Sequence, residues 1–482
     1  MSGSLSNRNV VADVSPSSEG RLSSIRRSRA YRSFIRDKAA VVACGVIVIY
    51  VSIALLIVGA QLAAAVGQRV GVDLSDTFIV RELSLKASLD RVGPDSLPGF
   101  LETPTTDKRL QNAEFHLSRI RRAFERDDPL TAFENEQLAE RTLADKPLDE
   151  LRRLLEVALE QLATVDEDYL DLEILAEELV DARLDLVEAT AHEDRQELLR
   201  AIADLEKQRN AAFQTVEEQL VQIEASIEAL IPTPKGFRGL VYKARLLLGT
   251  DSQGRSILWR AIYSIRVATQ VGLVSAIIAV VVGAFLGASA GFFGGWVDHA
   301  IVWLYSTLSS VPYIVLLTVV AFVFGSLQVT VPFTDGVQVH QTLIPMYVAF
   351  GVTFWIAPCR QIRGEAMKIR SLDYVQSATS LGAGRFYIMR RHVIPNVLFL
   401  VFINFSLIFI GAIKSEVILS FLGIGVVGQP SWGVMISESK SEVLNQFFWQ
   451  IGTATVFMFG LVLAFNVFSD ALQDAFDPKH AR

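Results

Sequence analysis

The sequence predicts an all-α, polytopic membrane protein with six transmembrane helices and a helical, coiled-coil-like extracytoplasmic insert. Three observations carry that prediction. Of 482 residues, 51% are hydrophobic, and they gather in long runs without charge. Charge is segregated: residues 67–231 hold 38 acidic and 19 basic side chains, so the rest of a chain of net charge −7 is basic, at +12. Finally, Leu151 to Ile231 contains neither Gly nor Pro, only residues that favour helix.

The chain opens on a basic tail, residues 1–38, whose Ser- and Asn-rich start, Met1–Arg21, is expected to lack fixed structure. Ala39–Val66 then runs 28 residues without a charged side chain, enough to cross the hydrocarbon core. It is too long for a secretory signal and lacks a small-residue cleavage pattern. Arg21, Arg26, Arg27, Arg29, Arg32, Arg36 and Lys38 precede it and hold that end in the cytoplasm. Further spans are read at about 267–292, 299–325, 342–359, 397–413 and 450–469, as helices, because lipid tolerates no open backbone. Six crossings leave both termini cytoplasmic. The segment between spans four and five is then also inside, and Arg370, Arg385, Arg390 and Arg391 agree with that.

Residues 67–247 form the insert. Leu151, Leu155, Ala158, Leu162, Val165, Tyr169, Leu172, Ala176, Leu179, Arg183 and Leu186 alternate steps of four and three, a coiled-coil seam interrupted by one arginine. A second seam runs from Leu198 to Leu230, with a one-residue slip near Val216. One helix of this length would reach about 120 Å, yet both ends must return to the same membrane face. An antiparallel hairpin over about 149–231 follows, reversing near Ala189–Arg195. A further helix is expected at Asp107–Arg126, where Leu110, Leu117, Ile120 and Phe124 share a face. The insert reads first as a solvated structural hairpin and next as a docking surface for an extracytoplasmic partner or second membrane subunit; a charge-lined route for cationic substrate is a third reading.

Cys44 and Cys359 fall at membrane ends, and six scattered histidines lack ligand spacing, so no disulfide framework, metal site or cofactor is implied. Lys414 and Glu416 end the fifth span. Charges there should face the bundle or its outer edge, and they are candidates for the pathway or its gate.

Between spans four and five lies "DYVQSATSLGAGRFYIMRRHVIPN", Asp373–Asn396. Gln376–Leu381 suits a short helix and Gly382 with Gly384 a sharp turn. An Arg-rich helix follows, and Pro395 opens the fifth span. The segment resembles the cytoplasmic EAA loop of ABC importer permeases, with Gln376, Ser377 and Ala378 in the Glu-Ala-Ala frame and Gly382 and Pro395 at the family interval. "LGTDSQGR" (Leu248–Arg255), "SIRVATQVGLV" (Ser264–Val274), "SEVILSFLGIGV" (Ser415–Val426), "PSWGVMI" (Pro430–Ile436) and "FNVFSDALQDAFDPK" (Phe465–Lys479) follow the oligopeptide and dipeptide permeases in order. Ser256 stands where Asp is usual. The chain thus resembles a binding-protein-dependent ABC importer permease, oligopeptide/dipeptide type, C-type subunit, over about 235–482.

That resemblance implies a type I permease domain at 248–482 with a coupling loop at 360–396, in a bacterial inner membrane. It implies a second homologous permease subunit, two ATP-binding subunits and an extracytoplasmic substrate-binding protein as partners, with no nucleic acid. Gln376, Ser377, Ala378, Leu381, Gly382, Arg385 and Pro395 would couple to the ATPases, with Ala378, Leu381 and Gly382 as loop core. The arginines would lie near the partner surface. The chain lacks a Gly-x-x-x-x-Gly-Lys-Ser/Thr phosphate cradle, so it is expected to be a transporter subunit and no ATPase. The rival reading is a membrane receptor or scaffold carrying an external coiled coil.

Overall fold

The computed structural model describes residues 37–70, 77–99, 104–126, 129, 142–189, 192–326 and 343–476. The basic tail before Asp37, the start of the run at 342 and the end of the C-terminal motif lie outside the described residues. In chain order the helices are α1 (Lys38–Val70), α2 (Phe78–Glu82), α3 (Leu85–Leu89), α4 (Thr106–Phe124), α5 (Leu148–Glu188) and α6 (His192–Leu230). There follow α7 (Gly236–Arg245), α8 (Ile257–Phe293), α9 (Gly295–Ser309), α10 (Tyr313–Gly325), α11 (Ile344–Phe354) and α12 (Ile356–Arg370). The last are α13 (Asp373–Ser380), α14 (Arg385–Ile388) with a π-helical turn at Met389–Val393, α15 (Ile394–Phe421), α16 (Trp432–Leu444) and α17 (Trp449–Phe476).

The chain divides into two compact units. One holds Met1–Ser52, Thr269–Glu416 and Met458–Arg482; the other holds Ile53–Ala268 and Val417–Phe457. Helices α1, α8, α15 and α17 contribute residues to each.

Among the described residues four helical stretches are long and apolar enough to cross a membrane: Lys38–Ala64, Ile257–Phe293, Arg385–Phe421 and Trp449–Asp474. The expected third span is broken. Pro312 ends the run after α9, and α9 and α10 meet at 89°, so this pair counts as a fifth only if taken as one bent span. The expected fourth is divided at Trp355 into α11 and α12, of 11 and 15 residues, neither long enough alone. Absence of charge marks an apolar run but says nothing of a bend inside it.

In the first unit, α8 carries Gly283, Gly287 and Gly291 one turn apart, each facing the backbone of the stretch from Trp355 to Met367. Without a driving force from water, helices in lipid gain most from such close approach of small residues. Phe409 and Phe465 stack at 3.9 Å between α15 and α17.

In the second unit, α5 and α6 pair as an antiparallel hairpin. Gln161–Ser226, Asp168–Gln219 and Arg183–Glu206 bridge the arms at 2.9, 2.6 and 2.7 Å, the numbers rising along one arm as they fall along the other. The arginine that interrupted the seam thus has its carboxylate across the hairpin. Each arm is about 60 Å long at 1.5 Å per residue, and α5 ends at Glu188, one residue before the expected reversal. Burial along the seam is uneven. Helix α4 packs on the proximal half, where Leu151, Leu155, Ala158, Leu162 and Val165 share a core with Val216, Leu220, Ile223 and Ile227. Farther out Leu172, Leu179 and Ile202 remain buried, but Ala176 and Arg183 are exposed, because no third described helix covers them.

Candidate functional site

The loop at 371–393 is built as two short helices on a deep root. Val375, Ile388, Met389 and Val393 are buried in one cluster with Phe292 of α8 and Ile362, Ala366 and Ile369 of α12. Between the short helices the chain turns through a Schellman motif. Ala383 N–H donates to Ala378 O at 3.1 Å and Gly382 N–H to Thr379 O at 3.0 Å, with Gly382 at φ +83°. Ala378 and Ala383, the pair such a motif brings together, both pack against the cluster.

The far end of the loop is braced as well. Asn396 Nδ2 donates to Tyr374 Oη at 3.0 Å and to His392 O at 2.6 Å, and the Tyr374 and His392 rings lie 5.8 Å apart. Spacing alone offered no reason to pair Tyr374 with Asn396. Pro395 stands at the second position of α15, and α15 runs on from α14 and the turn at Met389–Val393 without a gap, so Arg385–Phe421 is one helical stretch. The π-helical turn before it explains how. Ile394 N–H donates to Met389 O, widening the turn where an ordinary α-helix would drive the proline ring into a carbonyl.

Gln376, Ser377, Gly382, Arg385, Arg390, Arg391 and Pro395 are exposed, and Ala378 is half-buried. Leu381 corrects the expectation of a loop core: it is 88% exposed at the C-cap of α13. Leu372, Phe386 and Tyr387 of the same loop are exposed as well, as are Arg385, Arg390 and Arg391. Lys414 and Glu416 are not brought together. Two residues apart on a helix, they point about 200° apart, Lys414 exposed and Glu416 only 1% exposed.

The turn at 248–256, in the second unit, is a charge-locked corner. Gly249 and Gly254 adopt φ +76° and +72°, and a Cβ on Gly249 would collide with Leu97 O at 2.1 Å. Asp251, fully buried, accepts from the backbone N–H of Gln253 and Arg255, from Arg255 Nε at 2.8 Å, and from Arg260. Both arginines also donate to Glu438 Oε2 on α16, at 2.8 and 2.6 Å. Glu442 accepts from Ser252 N–H, and burial raises its carboxyl above the usual range. Ser256, where the family pattern has Asp, caps α8 by accepting from Trp259 N–H at 3.3 Å.

Residues 253–482 match the model of the binding-protein-dependent transport system inner membrane component. The chain is 31% identical to a dipeptide transport system permease protein of Bacillus subtilis, over 48% of this chain and 69% of that one. It belongs to this family of permeases. An oligopeptide transport system permease protein of Haemophilus influenzae is 30% identical over 52% and 72% of the two chains. A glutathione transport system permease protein of Pectobacterium atrosepticum is 32% identical over 48% and 72%. The permease is therefore a multi-pass component of the inner membrane and a subunit of an ABC importer, in which ATP hydrolysis belongs to other subunits.

Proposed function

We propose that the chain imports peptides or peptide-like solutes and couples that movement to ATP hydrolysis through the loop at 360–396. The exposure of Leu381 beside Arg385, Arg390 and Arg391, on a loop whose root is buried, carries the reading. A rigid root transmits displacement and an apolar tip beside cationic side chains offers grip, which suits a surface cleft of an ATP-binding subunit. The complete transporter would hold this chain, a second homologous permease subunit, two ATP-binding subunits and a substrate-binding protein outside. Both termini and the loop would be cytoplasmic. Residues 248–482 would form the permease domain and 67–247 an extracytoplasmic insert. The named substrates of the relatives support the peptide class.

The test is Leu381→Asp in the reconstituted transporter. Because the side chain touches little of its own protein, membrane content should match wild type, while peptide uptake should fall at least tenfold. Uptake within twofold of wild type would overturn the coupling role.

A further inference from the structure

Helices α4, α5 and α6 make a three-helix bundle over only part of its length. Arg109 of α4 donates to Glu217 of α6 and, at 2.8 and 3.0 Å, to Glu224. Helix α4 begins at Thr106, whose hydroxyl donates to Glu217 Oε1 at 2.8 Å. Residues of α6 before Glu217, and those of α5 opposite them, therefore lie past the end of α4.

The two arms go on presenting apolar side chains to the side that α4 has left. Burial and the Glu114 carboxylate of α4 raise the carboxyl of Asp166, which sets Asp166 on the covered side of α5. The seam repeats every seven residues. Val180 and Val187, two and three heptads beyond Asp166, face that same side, with Leu184 one turn from Val180. On α6, Phe213 stands one turn before Glu217, and Leu199 lies two heptads farther out. All five are exposed, Val187 to 82%. They line an apolar groove where the third helix of the bundle is missing among the described residues.

Charge selects the occupant. From Leu170 to Glu188, α5 carries seven acidic residues and one arginine, Arg183, which is committed to Glu206. The helix seated in the proximal part of the same groove is basic. Helix α4 has five basic residues against two acidic ones, and Arg109 pairs it with α6. This bundle position already takes a basic amphipathic helix. Residues 127–141, with five acidic side chains and one basic, carry the wrong charge to extend it, and a second copy of the hairpin is repelled for the same reason.

Position selects the source. Tyr169, the outermost α5 residue packed against the shared core, is 21 residues from Leu148. The groove thus opens about 30 Å along the hairpin from its base, at 1.5 Å per residue, a distance suited to a soluble protein rather than to a turn between membrane spans.

We propose that the groove docks a basic amphipathic helix of the substrate-binding protein. This rests on the import reading above, which places the insert outside the cytoplasm, and adds the surface that receives the partner.

In the experiment the complete transporter, reconstituted in nanodiscs, is titrated with its substrate-binding protein. Wild type is compared with the double variant Val180→Lys, Val187→Lys and with Val157→Lys. Val157 lies within the stretch of α5 that α4 covers, yet is exposed, so it faces away from the groove. Lysine favours helix, and all three positions are exposed, so each variant should keep the hairpin. Expected is at least tenfold weaker binding by the double variant, binding within twofold of wild type by Val157→Lys, and wild-type binding that weakens as salt is raised. Equal binding by wild type and the double variant would overturn the proposal. So would loss of the second permease subunit from the purified double variant, which would assign the groove to that subunit. A wild-type transporter that hydrolyses ATP but takes up no peptide would instead remove the import reading beneath it.

Discussion

Gly287 and Cys359 meet backbone to backbone: a Cβ on Gly287 would stand 2.6 Å from the Cys359 carbonyl oxygen. Gly283 and Gly291 are as tight, with Trp355 O at 2.8 Å and Arg363 O at 2.5 Å. The contact sets the distance between α8 and α12, and with it the root of the loop at 371–393.

Gly287→Leu should therefore leave little folded protein. Backbone cannot rotate away as a side chain can, and overpacking of about 1–3 kcal/mol or more is expected. Gly364, on α12 with nothing within 4 Å of a Cβ, is the control. Gly364→Ala should match or exceed wild type, since Ala favours helix by about 1 kcal/mol. Thermal unfolding of the detergent-solubilised chain checks both.

Gly382→Val should damage transport more than folding. No atom lies within 4 Å of the added Cβ, but φ +83° is closed to a β-branched residue. The strain, about 1–2 kcal/mol, falls on the Schellman turn that aims Leu381. Uptake should drop several-fold at normal membrane levels, whereas Gly382→Asn, which tolerates this backbone region, should keep most of it. Equal loss in both variants would mean that the backbone angle is not the cause.

How far could these features be foreseen? The arms of the hairpin were legible because burial of α5 against α6 repeats every three or four residues, and Leu151 through Val165 register that period directly. The unequal cover farther out was not. It depends on where α4 ends, and no periodicity within α5 reports the length of a neighbour. Gly382 announced its turn through its missing Cβ. Leu381 misled, since an apolar residue beside a turn reads as core until a partner surface is considered. The break at Ser310–Pro312 was masked by the apolar run around it.

Asp90 predicts a pH dependence. Burial pushes its carboxyl up to about 6, against the pull of Arg245, Lys86, Arg119 and Arg81. Between the unfolded value of about 3.9 and 6, the folded chain binds more proton than the unfolded one. Stability should thus fall as pH rises through that window. Asp90→Asn removes the titration, so its unfolding midpoint should gain on wild type from pH 4 to pH 6.5. Parallel profiles would show that the fold does not hold Asp90 protonated.

The corner at 248–256 predicts an order of severity between two carboxylates that share the same arginines. Asp251 is 0% exposed and takes hydrogen bonds from Arg255, Arg260 and two backbone amides, whereas Glu438 is 29% exposed on its side chain and meets only the guanidinium groups. Asp251→Asn keeps the shape but leaves two neighbouring cations with half their counter-charge, one of them Arg260, itself buried. Breaking a buried pair in this way costs about 3–5 kcal/mol. Glu438→Gln exchanges an ion pair that water already screens, and about 1 kcal/mol is the scale for it. Limited proteolysis across 248–256 should open in Asp251→Asn and stay near wild type in Glu438→Gln. The reverse order would locate the lock on α16 rather than in the turn, and the buried aspartate would then be a passenger of the arginines it contacts.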